Sequence, residues 1–115
     1  MKREVRDYIE DILKAMGEII EFVGDMSYKE FCEDTKTIYA VIRALEIIGE
    51  AVKNIPTQIK RKYPYIPWKE MAGMRDKLIH AYFGVLPERI WETIKKDIPL
   101  LKPEFEKILK GIEKE

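Results

Sequence analysis

The densest grouping of reactive side chains in this sequence is Met74-Arg75-Asp76-Lys77-Leu78-Ile79-His80-Ala81-Tyr82-Phe83. It holds the only histidine of the chain, an arginine five residues before it and a tyrosine two residues after it. Imidazole is the side chain best suited to exchanging protons near neutral pH. Guanidinium holds phosphate oxygens with forked, permanently charged donors. Arginine and histidine together, without a metal site, point to chemistry on a phosphodiester. RNA brings its own nucleophile to such a reaction, the 2′-hydroxyl.

Other chemistries close quickly. A single histidine excludes a di-iron bundle with paired Glu-x-x-His ligands and a His-x-x-x-His zinc site. There is no glycine-rich phosphate loop and no Gly-x-Ser-x-Gly elbow. Acidic residues on exposed helix faces are usually solvated, so neither a metal nor any other cofactor is expected. Cys32, the lone cysteine, has no base near it in sequence and reads as a small buried hydrophobe in a reducing compartment.

On a regular helix Arg75 and Tyr82 nearly share a face, because seven residues make about two turns. His80 falls about 140° away from Arg75. The three residues are therefore not a one-face constellation. Gly84 and Pro87 place His80 in the last turn of its helix, where the backbone frays or tightens.

The elements around this segment are helical. Val5, Ile9, Ile12, Met16, Ile19 and Val23 recur at spacings of three and four, and Gly24 stops the helix they define. Ser27 and Glu30 have capping-box spacing and open a second helix, expected to run unbroken from about Tyr28 to Ile55. Pro56 ends it or starts a short extra turn carrying Lys60-Arg61-Lys62. Pro67 suits the first position of a third helix reaching about Ala81. Pro87 opens a fourth helix, which Pro99 and Pro103 should kink or split. No segment alternates like a strand. The expected fold is all-α: residues 1–115 as a single domain, an up-and-down bundle of four main helices with one or two short ones. Trp68, Trp91 and Phe83 read as core rather than base-stacking platforms. The lysine and arginine runs at 60–62 and 95–96 read as solvated faces, and Arg43 and Glu46 as polar groups supporting a cleft.

The chain has 115 residues, 46% hydrophobic and 37% charged, which fits a globular domain and excludes a disordered chain. No apolar run approaches the roughly 20 residues that span a bilayer, and no signal peptide is visible. A cytoplasmic, non-membrane protein is expected. The formal net charge is zero but divided: residues 1–50 carry −5 and residues 51–115 carry +5. Such asymmetry fits an anionic ligand at one end of the molecule, and equally two helix faces that help the halves pack. Asn54 and Gln58 are the only side-chain amides, a bias seen in proteins from hot environments.

The segment 75–82 carries the Arg-x-x-x-x-His-x-Tyr signature of the HEPN superfamily and resembles its branch of HepT-like ribonuclease toxins. Ile48-Gly49-Glu50-Ala51, Ile66-Pro67-Trp68, Gly73-Met74-Arg75-Asp76 and Trp91 extend the resemblance over nearly the whole chain, most specifically residues 43–98. The resemblance implies a helical homodimer whose motifs line one cleft, so that Arg75 and His80 act across the interface. It implies metal-independent RNA cleavage leaving a 2′,3′-cyclic phosphate. Arg75 would bind and polarise the scissile phosphate, His80 would act as general base or acid, and Asp76 would orient one of them. It also implies a partner, a small nucleotidyltransferase antitoxin of a type VII-like toxin–antitoxin pair, which transfers AMP to the tyrosine corresponding to Tyr82. A bulky anion in a phosphate-binding cleft would block and repel RNA. The alternative reading is a non-catalytic subunit that binds nucleotide or partner in a minimal nucleotidyltransferase complex.

Overall fold

The computed structural model describes residues 3–81 and 87–114. Helix α1 spans Val5–Val23 and buries Ile9, Ile12, Met16 and Ile19 completely, along the stripe that the sequence spacing marks. Each such side chain contributes roughly 1.5–3 kcal/mol of burial. Asp7 caps the start of α1 by accepting from the Glu4 backbone N–H at 2.9 Å. Gly24 ends it at φ +54°, the left-handed region, with its N–H on the Ile20 carbonyl at 2.9 Å.

The expected single helix over 28–55 is two helices, α2 (Tyr28–Glu33) and α3 (Thr35–Lys53). Ser27 caps α2 through the anticipated box, with its hydroxyl accepting from the Glu30 N–H at 3.1 Å. Asp34 makes the break. It ends α2 and caps α3, its carboxylate accepting from the Thr37 N–H at 3.0 Å. Aspartate competes in this way with the helical ladder and is favoured at caps over helix interiors. The break also corrects the reading of Cys32, which is exposed. The only buried residue of α2 is Phe31, and a single-turn contact leaves its neighbour facing solvent.

Pro56 precedes the short α4 (Thr57–Lys62), and α5 (Trp68–Ala81) follows the aromatic link one residue later than Pro67 suggests. Trp68 is core, as expected: its indole N–H donates to the Tyr63 carbonyl at 3.0 Å and its ring meets Phe105 edge-on. Beyond the motif come α6 (Pro87–Glu92), a π-helical turn over Thr93–Asp97, and α7 (Ile98–Glu113). The Ile98 N–H reaches back five residues to the Thr93 carbonyl. Pro99 explains this widening: it cannot donate to the carbonyl four residues back, and its ring crowds that carbonyl. The fourth helix is thus split, as its prolines suggest, while Pro103 lies inside the continuous α7.

Helix α3 is the centre of the bundle. It packs on α1 on one side and on α5 on the other, and α7 closes against α1. Arg6 near the start of α1 reaches Glu113 at the end of α7 at 3.5 Å, so these two run antiparallel. Four long helices form the all-α fold, with three short helices where one or two were expected, and there is no strand among the described residues. No helix is long and apolar enough to cross a membrane.

Candidate functional site

The position of Arg75 is set by a side chain that is missing. Gly49 faces α5 from the middle of α3. A Cβ built on it would lie 2.2 Å from the Arg75 Cβ and 3.1 Å from the Met71 carbonyl oxygen. Only glycine lets the two helices approach this closely. The arginine stem therefore crosses the α3 backbone and carries its head to the far edge, beside Glu50 and Lys53.

Four charged groups meet there. Arg75 Nη1 donates to Asp76 Oδ1 at 3.2 Å, and Nη2 reaches Glu50 Oε2 at 3.5 Å. Lys53 Nζ donates to the same Asp76 oxygen at 2.5 Å. The Lys53 ammonium first, and the Arg75 guanidinium behind it, hold the Asp76 carboxyl below the usual carboxylate range. Asp76 is thus an anion through the neutral range. It pins one edge of the guanidinium. The contact to Glu50 is long, and Glu50 is mostly solvated. The Arg75 Nε is buried and has no acceptor among the described residues. An unmet buried donor costs roughly 1–3 kcal/mol. Arg75 is therefore a half-used fork: Nη1 is fixed by Asp76, while Nη2 is held only by the long contact to Glu50 and can take an anion in its place.

Arg75 and Asp76 come together as the sequence suggests. His80 belongs to the last turn of α5, which is α-helical through Ala81. The described side chains do not include His80, and Tyr82 and Phe83 lie outside the described residues. The sequence reading missed Gly49, Glu50 and Lys53 as parts of the site. The first two stand in the string Ile48-Gly49-Glu50-Ala51, and the signal available was a glycine inside an otherwise strong helix. Glu46 is half-buried, and Arg43 lines a polar groove of about 290 Å3 between the start of α1 and the end of α3. Trp91 packs on Phe31 with ring centroids 5.2 Å apart and carries Lys95 over its face at 4.8 Å. A larger cleft of about 510 Å3 lies between α3, α5 and the start of α7, lined by Leu45, Ile48, Met71, Met74 and Leu101. Among the described residues no three histidine, cysteine or carboxylate side chains converge as a metal site requires.

The sequence model for the HepT-like ribonucleases matches residues 12–108. A Methanocaldococcus jannaschii protein provisionally named as an RNase is 57% identical over 112 residues, covering 97% of each chain. A Thermococcus cleftensis protein provisionally named ribonuclease HepT is 59% identical over 110 residues, 96% of this chain and 100% of the relative. A Caldanaerobacter subterraneus protein, again named provisionally as an RNase, is 51% identical over 104 residues, 90% of this chain and 93% of the relative. No solved structure matches the chain. With a family match across the bundle and the Arg75 site within it, the chain belongs to the HepT-like ribonuclease family.

Proposed function

We propose that this ribonuclease cleaves RNA without a metal ion, by acid–base chemistry from Arg75 and His80. The observation that carries the reading is the Arg75 fork, with one amine anchored by Asp76 and the other held only by a long contact to the mostly solvated Glu50. Such a group holds and polarises a phosphate, and its hold tightens as negative charge grows on the phosphoryl oxygens in the transition state. His80 takes the proton of the 2′-hydroxyl or delivers one to the leaving 5′-oxygen. The 2′-oxygen forms a bond to phosphorus, the bond to the 5′-oxygen breaks, and the products are a 2′,3′-cyclic phosphate and a free 5′-hydroxyl.

One subunit does not suffice for this chemistry. Along a regular helix the positions 75 and 80 are about 140° apart in rotation. A homodimer in which Arg75 of one copy faces His80 of the other removes the conflict. It is supported by the larger cleft, where half-buried Met71 and Met74 of α5 line apolar surface together with Leu45 of α3, beside Leu100, 70% exposed, and Tyr65, 58% exposed. Apolar surface of this kind favours a partner. In the same reading the protein is the cytoplasmic toxin of a toxin–antitoxin pair, and its nucleotidyltransferase antitoxin transfers AMP to Tyr82. The added phosphate would compete with RNA for Arg75.

The test is incubation of the purified protein with total and transfer RNA in EDTA, wild type beside His80→Ala. Cleavage by wild type alone, leaving cyclic phosphate ends, is the expected result. No cleavage by wild-type protein whose mass shows no adduct on Tyr82 would sink the reading and leave the partner-binding subunit in its place.

A further inference from the structure

We propose that the groove between α1 and α3 is a second contact site for the same substrate, taking single-stranded RNA that flanks the scissile phosphate, with Arg43 as its phosphate anchor. The inference rests on the ribonuclease reading of Arg75. Arg43, Glu50 and Asn54 lie along one ridge of α3, at spacings of seven and four, and all three line the groove. Glu50 also touches Arg75, so this residue is shared by the groove and the proposed cleavage site.

The charges in the groove are not equivalent. Arg3 is paired with Asp11 at 2.8 Å, and Glu50 is turned towards Arg75. Among the described residues the side chain of Arg43 has no hydrogen bond or ion pair, and it is exposed. A guanidinium without a carboxylate, in a groove that shares Glu50 with the Arg75 site, is suited to a second phosphate. Seven residues of α-helix rise about 10.5 Å, which is roughly three stacked nucleotides at about 3.4 Å each. Arg43 and the Glu50–Arg75 pair are therefore spaced to hold two phosphates of one strand.

The floor of the groove suits bases. The Arg3 guanidinium lies over the Tyr8 ring, 4.9 Å from its centroid, a cation–aromatic pair against which a base can pack. Asn54 donates one amide hydrogen to the Glu50 carbonyl at 2.9 Å, which leaves its oxygen and second hydrogen for the edge of a base. The volume of about 290 Å3 is at the small end of ligand sites, the scale of a single nucleotide unit rather than a folded partner.

The test is fluorescence anisotropy with a labelled, fully 2′-O-methylated RNA of twelve nucleotides and mixed sequence. This probe binds as RNA but lacks the nucleophile and is not cut. Wild type, Arg43→Ala, Arg43→Lys and Arg75→Ala are titrated between 50 and 200 mM salt. Arg43→Ala is expected to weaken binding about five- to tenfold and to lower the salt slope by about 0.7, the value of one phosphate contact on a single strand. Arg43→Lys should restore the slope. Because Arg43 is exposed, the helical signal and melting temperature stay at wild-type values. Unchanged affinity and slope in Arg43→Ala, with Arg75→Ala weakened, would overturn the groove and leave the ribonuclease reading intact. Wild-type protein that does not bind the probe would overturn the groove as well, and the EDTA cleavage assay then decides the ribonuclease reading on its own.

Discussion

Gly49→Ala is the sharpest perturbation this structure offers, because one methyl group would change both stability and catalysis. The new Cβ would sit 2.2 Å from the Arg75 Cβ, whereas carbon atoms pack at about 3.5–4.0 Å. The second obstacle, the Met71 carbonyl at 3.1 Å, is backbone and cannot swing aside. Relief needs α5 to move outward by roughly 1 Å or more. Overpacking of this severity costs about 3 kcal/mol, and the better helix propensity of alanine returns about 1 kcal/mol. The net loss is about 2 kcal/mol, and at the entropy expected for 115 residues the melting temperature falls by about 8 °C. The displaced Arg75 misses the phosphate by a distance that typically lowers rate about 100-fold. Gly73→Ala is the matched control. It is a glycine of α5 with open space around it, and an added methyl would meet nothing within 4 Å, so the variant should gain up to about 1 kcal/mol and keep its activity. Thermal melts and RNA cleavage on the two variants check this together. A Gly49→Ala protein that melts and cleaves like wild type would refute the idea that this contact positions Arg75.

Three further outcomes are expected. Glu50→Gln removes the carboxylate that competes with phosphate for Arg75 Nη2, so affinity for the uncut RNA probe should rise about two- to fivefold, and a fall would show that Glu50 serves binding instead. Leu78→Ala, at a position 1% exposed in the middle of α5, should cost about 2–5 kcal/mol by calorimetry, and a loss below about 1 kcal/mol would mean that α5 is not anchored through this side chain. Asp76 has a depressed folded-state pKa, so its stabilising contribution is present above the ordinary aspartate range and is lost only as pH falls through the lowered value. Activity lost between about pH 7 and 5 is thus not due to Asp76, and Asp76→Asn should leave that limb of the pH–rate profile where it is.

Local signals carry most of the fold. The α1 stripe, Gly24, the Ser27–Glu30 box and the prolines at 56, 87 and 99 each act within a turn or two, and each is where the pattern puts it. The break at Asp34 is hidden because apolar spacing runs through it from Phe31 to Ile38, and a capping aspartate looks like any polar residue of a solvated face. Cys32 reads as buried because a lone cysteine is usually a small core hydrophobe, whereas on the single-turn α2 it is exposed. Within the site, Arg75 and Asp76 are legible by type and spacing. Glu50 and Lys53 are not, because they join α5 across 25 and 23 residues of chain, and no periodicity reports a pairing between two helices.

The two ends of the motif segment are moored to different supports. Arg75 and Leu78 ride on α3 through α5, whereas Pro87 begins α6, which is gripped from α2 by the Phe31–Trp91 and Tyr28–Trp91 rings and by the Tyr28 hydroxyl on Glu88 at 3.3 Å. The joint between those supports is the single residue Asp34. A change of angle at Asp34 would move the α2 contacts of α6 relative to α5, so a residue more than 40 positions upstream bears on where the two ends of the motif segment stand. Homologous chains that lengthen or reshape the α2–α3 joint would retune their cleavage geometry while keeping every residue of the signature, and sequence comparison confined to that signature would miss the difference.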